Sequence, residues 1–316
     1  MPRTIPAALL TDCDAKRQRL AELIDAHTPE VGENATAVPG LVLFRRTAVT
    51  SCDRGVYEPS LNIYAQGKKQ VVLGGKTYVC GGSSFLVSSI DVPVQSQVVE
   101  ASKEKPLLSM LLRLELPLVR ELMMAEELPD IDSSGKGVGL VAGELTVDIL
   151  DVCARLLRLL ESPRDIPFFS RHIHREIIYR LLCSPQGERL RAISTSGDLS
   201  HRTAKAISWL KANYARPLRM EELAETARMA VSTLHHQFRA LTSMSPLQFQ
   251  KQLRLQAARQ RMLEDGVDAT TAAFDVGYES VSQFNREYSR LYGLPPMRDI
   301  QTLKRSGASA SELAKN

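Results

Sequence analysis

Two clusters of hydrogen-bonding side chains, offset by fifty residues, stand out in this 316-residue chain. The first is Ser232, His235, His236 and Arg239; the second is Ser282, Asn285 and Arg286, with Val281 on the same face. On a helix the first set falls at i, i+3, i+4 and i+7, one face, and leaves Leu234, Phe238 and Leu241 to the other. The second set repeats that logic, with Phe284, Tyr288 and Leu291 as its apolar stripe. Hydroxyl, imidazole, amide and guanidinium groups on an exposed helix face suit hydrogen bonding to base edges and phosphates in a major groove. The adjacent histidines equally suit a solvated pair, and as metal ligands they have no partners nearby. Arg286 suits an intradomain ion pair or a phosphate contact as well as a base.

These side chains need helices to hold them. In "MEELAETA" Leu223, Ala224 and Ala227 face inward, and the small alanines let the next helix, from about Val231 to Leu241, cross closely. In "AAFDVGYES" a helix ends at Gly277, where a tight turn needs positive φ, and Ser280 with Gln283 predicts a capping box. Between the two lies "SPLQFQKQLRLQAARQRMLEDG", which predicts one long helix started by Pro246, with Leu247, Leu253, Leu255, Ala258 and Met262 as apolar positions. Lys251, Arg254, Arg259 and Arg261 decorate it, and Lys251 and Arg254 are the candidate phosphate contacts. Such a rigid spacer would present the two helices to successive major-groove segments about 34 Å apart, bending the duplex if it falls short.

Charge is distributed accordingly. The net charge is +4, but from His201 onward there are 17 Lys and Arg against 11 Asp and Glu, leaving −2 for the first 200 residues. That excess is modest, so recognition would need shaped contacts as well as attraction to phosphates. With 44% hydrophobic and 24% charged residues the composition is globular, and the length suggests two domains. No apolar run approaches the roughly 18 to 20 residues of a membrane span, and the N-terminus turns polar too soon for a secretory signal, so a cytoplasmic location is expected. Five scattered cysteines (Cys13, Cys52, Cys80, Cys153, Cys183) form no CxxC or Cys/His cluster. They read as reduced thiols rather than a disulfide frame or zinc site.

The first 200 residues change period. "AALLTDCDAKRQRLAELIDAHTP" carries Leu9, Leu10, Leu20, Leu23 and Ile24 at helical spacing. From Val38 to Leu116 short β-like runs follow: "LVLFRRTAV", "SLNIYAQ", "KQVVL", "KTYVC", "SSFLVSS", "PVQSQVVE" and "LLSMLLRLEL". Gly74-Gly75 predicts a two-residue hairpin, and the set predicts a sandwich or small barrel. Helical patterns return in "LVRELMMAEEL", "TVDILDVCARLLRLLE" and "SRHIHREIIYRLLC". "SPQGERLRAISTSGDLS" is polar enough to mark a boundary. The fold expected is α+β: residues 1–190 a barrel with flanking helices, 191–202 a linker, 203–305 an all-α domain with the duplicated pattern, and 306–316 a tail.

The segment from about Ile207 to Arg298 resembles the double helix-turn-helix domain of the AraC/XylS transcriptional regulators, through "L…FR", "SPLQF", "LRLQAAR", "VGYES", "QFNREY" and "GLPP". The first 190 residues are similar to the N-terminal domain of one AraC-family branch, through "EPSLNIYAQGKKQVVLGGKTYVC", "FLVSSIDVPVQSQVVEAS" and "HREIIYRLL". The resemblance implies a cupin-like barrel for effector sensing or dimerisation, then two reading helices. It places the first helix's contacts at Ser232, His235 and His236 and the second's at Val281, Ser282, Gln283, Asn285 and Arg286. It also marks a departure. Where the family usually has Ser or Thr before the first reading helix, this chain has Ala230, so that the helix is expected either to start at Ser232 or to be less stable by roughly 1 kcal/mol.

A barrel also raises an enzymatic rival, because metal-dependent cupins place histidines and a carboxylate on neighbouring strands. No histidine occurs between Val38 and Leu116, and His172 and His174 sit at i, i+2 on different helical faces. Neither catalysis nor a cofactor is expected. As an effector pocket the barrel offers Tyr57, Tyr64, Tyr78, Phe85 and Met110, though each suits a core position too. Cys52 or Cys80 could sense oxidants if its pKa were lowered. The partners expected are double-stranded operator DNA, a second copy of the chain, a small-molecule effector and, for an activator, RNA polymerase; no membrane is involved. The rival of a different class is a ligand-binding or enzymatic barrel whose C-terminal helices serve only protein interaction.

Overall fold

A computed structural model describes residues 7–82, 84–125, 128, 138–195 and 197–313. Helix α1 (Ala7–Ala26) lies before ten strands: β1 (Gly32–Ala35), β2 (Leu41–Arg46), β3 (Asp53–Tyr57), β4 (Ser60–Gln66), β5 (Lys68–Leu73), β6 (Lys76–Gly81), β7 (Ser84–Ser88), β8 (Val92–Glu100), β9 (Leu107–Arg113) and β10 (Leu140–Glu144). They form two antiparallel sheets, one in the order β1-β2-β9-β4-β7-β10 and the other in the order β3-β8-β5-β6. Gly74 and Gly75 both have positive φ (57° and 82°) and join β5 to β6, with Leu73 opposite Lys76, the geometry a two-residue primed turn requires.

Helix α1 packs on β2, β4 and β9 of the larger sheet, and helices α2 (Leu116–Ala125), α3 (Val147–Arg158) and α4 (Ile166–Leu182) pack behind it into the same core. Helix α3 is started by Thr146, whose hydroxyl accepts from the Ile149 amide at 3.3 Å. Leu20, Leu23 and Ile24 of α1 join the sheet residues Leu43, Leu61, Ile63 and Met110 and the helical Leu150, Leu157 and Ile177 in one buried cluster. The side chains of Leu9 and Leu10 lie outside the described residues.

The stretch read as a linker is mostly helical. Helix α5 (Glu188–Ser194) buries Leu190 and Ile193, and α6 (Leu199–Ala212) begins at the Asp198 cap, so only residues 195–198 intervene. The all-α part continues with α7 (Met220–Ala227), α8 (Val231–Thr242), α9 (Pro246–Glu264), α10 (Ala269–Asp275), α11 (Val281–Tyr292) and α12 (Pro296–Leu313). Residues 306–313, expected as tail, extend α12; residues 314–316 lie outside the described residues. One buried cluster crosses the boundary, placing Val71, Leu73, Tyr78 and Leu140 with Ile207, Leu223, Phe238 and Phe249. The second copy of the pattern has its own cluster, around Leu255, Met262, Phe284 and Tyr288.

Candidate nucleic-acid interface

The two helices that carry the candidate residues have the same length and, over their first eight residues, nearly the same burial pattern fifty residues apart. Helix α8 buries Leu234, Phe238 and Leu241, and α11 buries Phe284 and Tyr288, while Leu291 is only half-buried. The Phe238 ring meets Phe249 edge-on at 5.4 Å, and Phe284 packs against Tyr278 and Tyr288 at 5.4 and 5.5 Å. Each stripe is thereby locked onto its partner helices, and the opposite face is forced outward. Ser232, His235, His236 and Arg239 are exposed on α8; Ser282, Asn285 and Arg286 are exposed on α11. Among the described residues none of these seven side chains has an internal hydrogen bond or ion pair. Val281 is half-buried, and Gln283, though exposed, gives its amide N–H to Glu287 Oε1 at 3.1 Å.

The helix starts differ between the copies. Ala230 stands at the start of α8 with no side chain to accept an amide, as its type dictates. Ser280 accepts from the Gln283 amide at 3.3 Å, but Gln283 does not return the bond, so the capping box expected there is half-formed. The complete box is at α9, where Ser245 and Gln248 exchange both bonds. The preceding turns differ as well. Gly277 takes φ +89°, where a Cβ would come within 2.0 Å of the Ala215 carbonyl, whereas the first copy puts Arg228 at φ +53°. At the far ends Ser243 (φ +60°) matches Gly293 (φ +80°).

Neither Lys251 nor Arg254, the candidate phosphate contacts, is without an internal partner. Lys251 Nζ lies 2.6 Å from Glu287 Oε1, which also takes part in a cluster with the Tyr278 hydroxyl at 2.8 Å to Oε2. Burial pushes the Glu287 carboxyl up, but Lys251, Gln283 and Tyr278 together hold it below the ordinary range. Arg254 turns inward and donates to the carbonyls of Tyr214 (2.7 Å), Gly277 (2.8 Å), Arg216 (2.9 Å) and Ala215 (3.2 Å). It clamps the α6–α7 loop to the turn of the second motif. Four convergent carbonyl oxygens form an acceptor cradle that suits the several donors of a guanidinium, and nothing in the local sequence announces it. Of the apolar positions expected in α9, Leu247 is 52% exposed and Phe249 is buried in its place.

In the N-terminal half a cavity of about 750 Å³ lies between the sheets and is closed on one side by the C-terminal helices. Val42 and Phe44 of β2, Tyr64 of β4 and Val98 of β8 line it, with Tyr214, Leu253 and Gln256 from the C-terminal part. Tyr64 is therefore on the cavity wall, whereas Tyr78 sits in a smaller cleft with its hydroxyl donated to the Leu140 carbonyl at 3.0 Å. Arg46 also faces the cavity; burial lowers its pKa, and its one described hydrogen bond runs to the neighbouring Arg45 carbonyl at 3.3 Å. Cys80 does not fit a redox sensor. It is fully buried, and burial pushes its thiol up to about 11, the reverse of what a reactive thiolate needs. Cys52 is exposed.

Residues 37–189 match the model of the AraC-type transcriptional regulator N-terminus, and residues 223–301 match a helix-turn-helix domain. The chain belongs to the AraC family of transcriptional regulators. Its C-terminal part is 26% identical over 102 residues to the transcriptional activator RhaS of Pectobacterium carotovorum, covering 32% of this chain and 37% of RhaS. An AraC-like transcription regulator of Streptomyces lividans is 31% identical over 93 residues, covering 29% of this chain and 31% of that one. The match thus spans about a third of these relatives' length. At the level of fold the chain is similar to ToxT of Vibrio cholerae, solved with an unsaturated fatty acid: TM-score 0.56 at 12% identity, covering 83% of this chain and 93% of ToxT. Both halves of this AraC-family chain are thereby accounted for, the two-sheet domain as well as the duplicated helices.

Proposed function

We propose that this protein binds operator DNA through α8 and α11 and regulates transcription under control of its N-terminal domain. The observation that carries the reading is the repeated face: six exposed polar side chains at three matching positions on two 12-residue helices (232/282, 235/285 and 236/286), with Arg239 added on α8, none of them with an internal partner among the described residues. Asn285 offers a bidentate amide for adenine and Arg286 a fork for guanine or phosphate; the α8 set adds two imidazoles and Arg239. Helix α9 rises about 28 Å over its 19 residues, short of the ~34 Å of one duplex turn. Simultaneous engagement therefore favours DNA bent towards the protein.

The cavity supports an effector with an acidic head and an apolar body. Arg46 supplies a half-buried cation with no carboxylate within ion-pair distance among the described residues, Glu33 acting on it only from further away, and Val42, Phe44 and Val98 supply apolar wall. The fatty acid in ToxT is an example of that chemistry in a protein of similar fold. A homodimer belongs to the same reading, since Phe168 and Phe169 stand exposed at the start of α4. The position of the operator relative to the promoter decides whether RNA polymerase is recruited or blocked.

The test is a footprint and a salt-dependent gel shift on DNA upstream of the protein's own gene. Arg286→Ala or His236→Ala is expected to weaken specific binding by about 1 to 3 kcal/mol for each base that the side chain reads. Unchanged footprints in both variants, or binding without sequence preference, would contradict the assignment.

A further inference from the structure

The N-terminal domain holds the two reading helices unequally. Its contacts concentrate on the C-terminal end of α8. The Gly139 amide, just before β10, donates to the Leu241 carbonyl at 2.9 Å. Gly74, at the tip of the β5–β6 hairpin, lies so close to Ser243 that a Cβ there would fall 2.1 Å from both its Cβ and its Oγ. Phe238 and Leu241 share a buried cluster with Val71 and Leu73 of that hairpin, whereas the described cluster around α11 contains no N-terminal residue. Among the described residues the side-chain bond between the second motif and the N-terminal domain is made from α9, by Arg259 Nη1 to Asp53 Oδ1 at 2.7 Å, and Tyr292 at the end of α11 feels the charges of Asp53 and Arg54 without bonding to them. The hairpin also connects to the cavity: β5 carries Lys69, on the cavity wall, four residues before Leu73.

We propose that the β5–β6 hairpin tip is the positioning element for the first reading helix, with Gly74 seated against Ser243 and Gly139 bonded to Leu241, and that it relays the state of the cavity to α8 rather than α11. The proposal rests on the DNA-binding reading above. Docking leaves Ser232, His235, His236 and Arg239 exposed, so the contact orients the reading face without covering it. A side chain at residue 74 would force the tip and the end of α8 apart, because its Cβ would lie 2.1 Å from both the Cβ and the Oγ of Ser243.

Three variants of the full chain test this. Gly74→Ala introduces the clash. Gly75→Ala imposes comparable backbone strain, at φ +82°, with no atom within 4 Å. Gly74→Ala with Ser243→Gly removes both clashing atoms and leaves the Ser243 Cα position 3.6 Å away, an ordinary contact. Hydrogen exchange at the Gly139 amide reads the docking, and operator affinity with footprinting reads the reader. In Gly74→Ala the amide is expected to exchange faster and affinity to fall about fivefold or more, the lower end of ordinary coupling between sites. Protection should disappear from the half of the operator that His236→Ala also affects. Gly75→Ala should match wild type, and the double variant should return both readouts. The proposal is overturned if Gly74→Ala matches Gly75→Ala, if exchange rises without a fall in affinity, or if Ser243→Gly does not rescue. Wild type binding DNA without sequence preference would refute the underlying reading instead, and the exchange result would still decide the contact.

Discussion

Arg254→Met separates two roles that the sequence leaves equivalent. A phosphate contact and a structural clamp are both served by an arginine on a helix, but they fail differently. The guanidinium donates to four carbonyls, and Gln250 Nε2 also reaches two of them, Tyr214 at 3.0 Å and Arg216 at 2.7 Å. After substitution those two stay satisfied, while Gly277 and Ala215 lose the bonds at 2.8 and 3.2 Å. A hydrogen bond to a charged group contributes about 1.5 to 3 kcal/mol, and the Ala215 bond is long and exposed, so a destabilisation of about 2 to 3 kcal/mol is expected. At about 2 to 4 °C per kcal/mol, the range for chains of about 150 to 250 residues, the melting temperature should fall by about 4 to 12 °C. Thermal unfolding and the slope of log affinity against log salt are the two assays. Each phosphate contact contributes about 0.9 to that slope, so a clamp lowers the melting temperature and leaves the slope alone. A slope lower by about 0.9 with unchanged melting would refute the clamp and restore the phosphate contact.

Two further outcomes follow from single side chains. Ala230→Ser should stabilise α8 by about 1 kcal/mol and Ser280→Ala should cost α11 a similar amount, both read by thermal melting; equal and negligible effects would mean the caps are immaterial. His174 is buried, burial lowers its pKa below 6.5 against the weaker pull of Glu115, and its Nε2 has no partner among the described residues. The neutral ring costs nothing extra above pH 6.5. Below it the unfolded chain takes up a proton that the folded chain resists, so stability falls as pH drops from 6.5 towards the folded pKa. Replacing His174 by Leu should flatten urea-unfolding stability between pH 7.5 and 5.5, and an unaltered pH slope would count against this origin.

Elements with a strong local period were legible. The runs around Leu43, Ile63, Val71 and Leu112 became strands, and Gly74-Gly75 became the hairpin turn, because alternation and positive φ are local properties. Strands β1 ("GENA") and β3 ("DRGVY") carry no apolar run, and their strand character comes from neighbours: β1 edges β2 and β3 edges β8. The polar composition of 184–200 concealed a helix, because Leu190 and Ile193 pack against elements far away in sequence. At the interface the exposed faces of α8 and α11 followed from the position of Phe238, Phe284 and Tyr288. The duties of Lys251, Arg254 and Gln283 did not, since each depends on an acceptor that folding brings from elsewhere.

The unequal construction of the two readers gives the docking of α8 a physical reason. Helix α11 is preceded by a glycine at φ +89°, capped by Ser280, closed by Gly293 and seated on its own cluster. Helix α8 has Arg228 and Ser243 in left-handed backbone and no N-cap, each of which costs about 1 kcal/mol relative to the residue its counterpart uses. A helix that is locally weaker by this much depends more on tertiary contacts for a fixed orientation. Those contacts are supplied by the N-terminal domain, through Gly139, the hairpin tip and a shared core. If α8 and α11 read DNA as proposed, a change at the cavity should act with most effect on the helix whose own sequence holds it least, while α11 should keep its orientation without such support. Repairing α8 by Ala230→Ser should accordingly make its binding less sensitive to Gly74→Ala, which ties helix capping and domain docking to one free-energy balance.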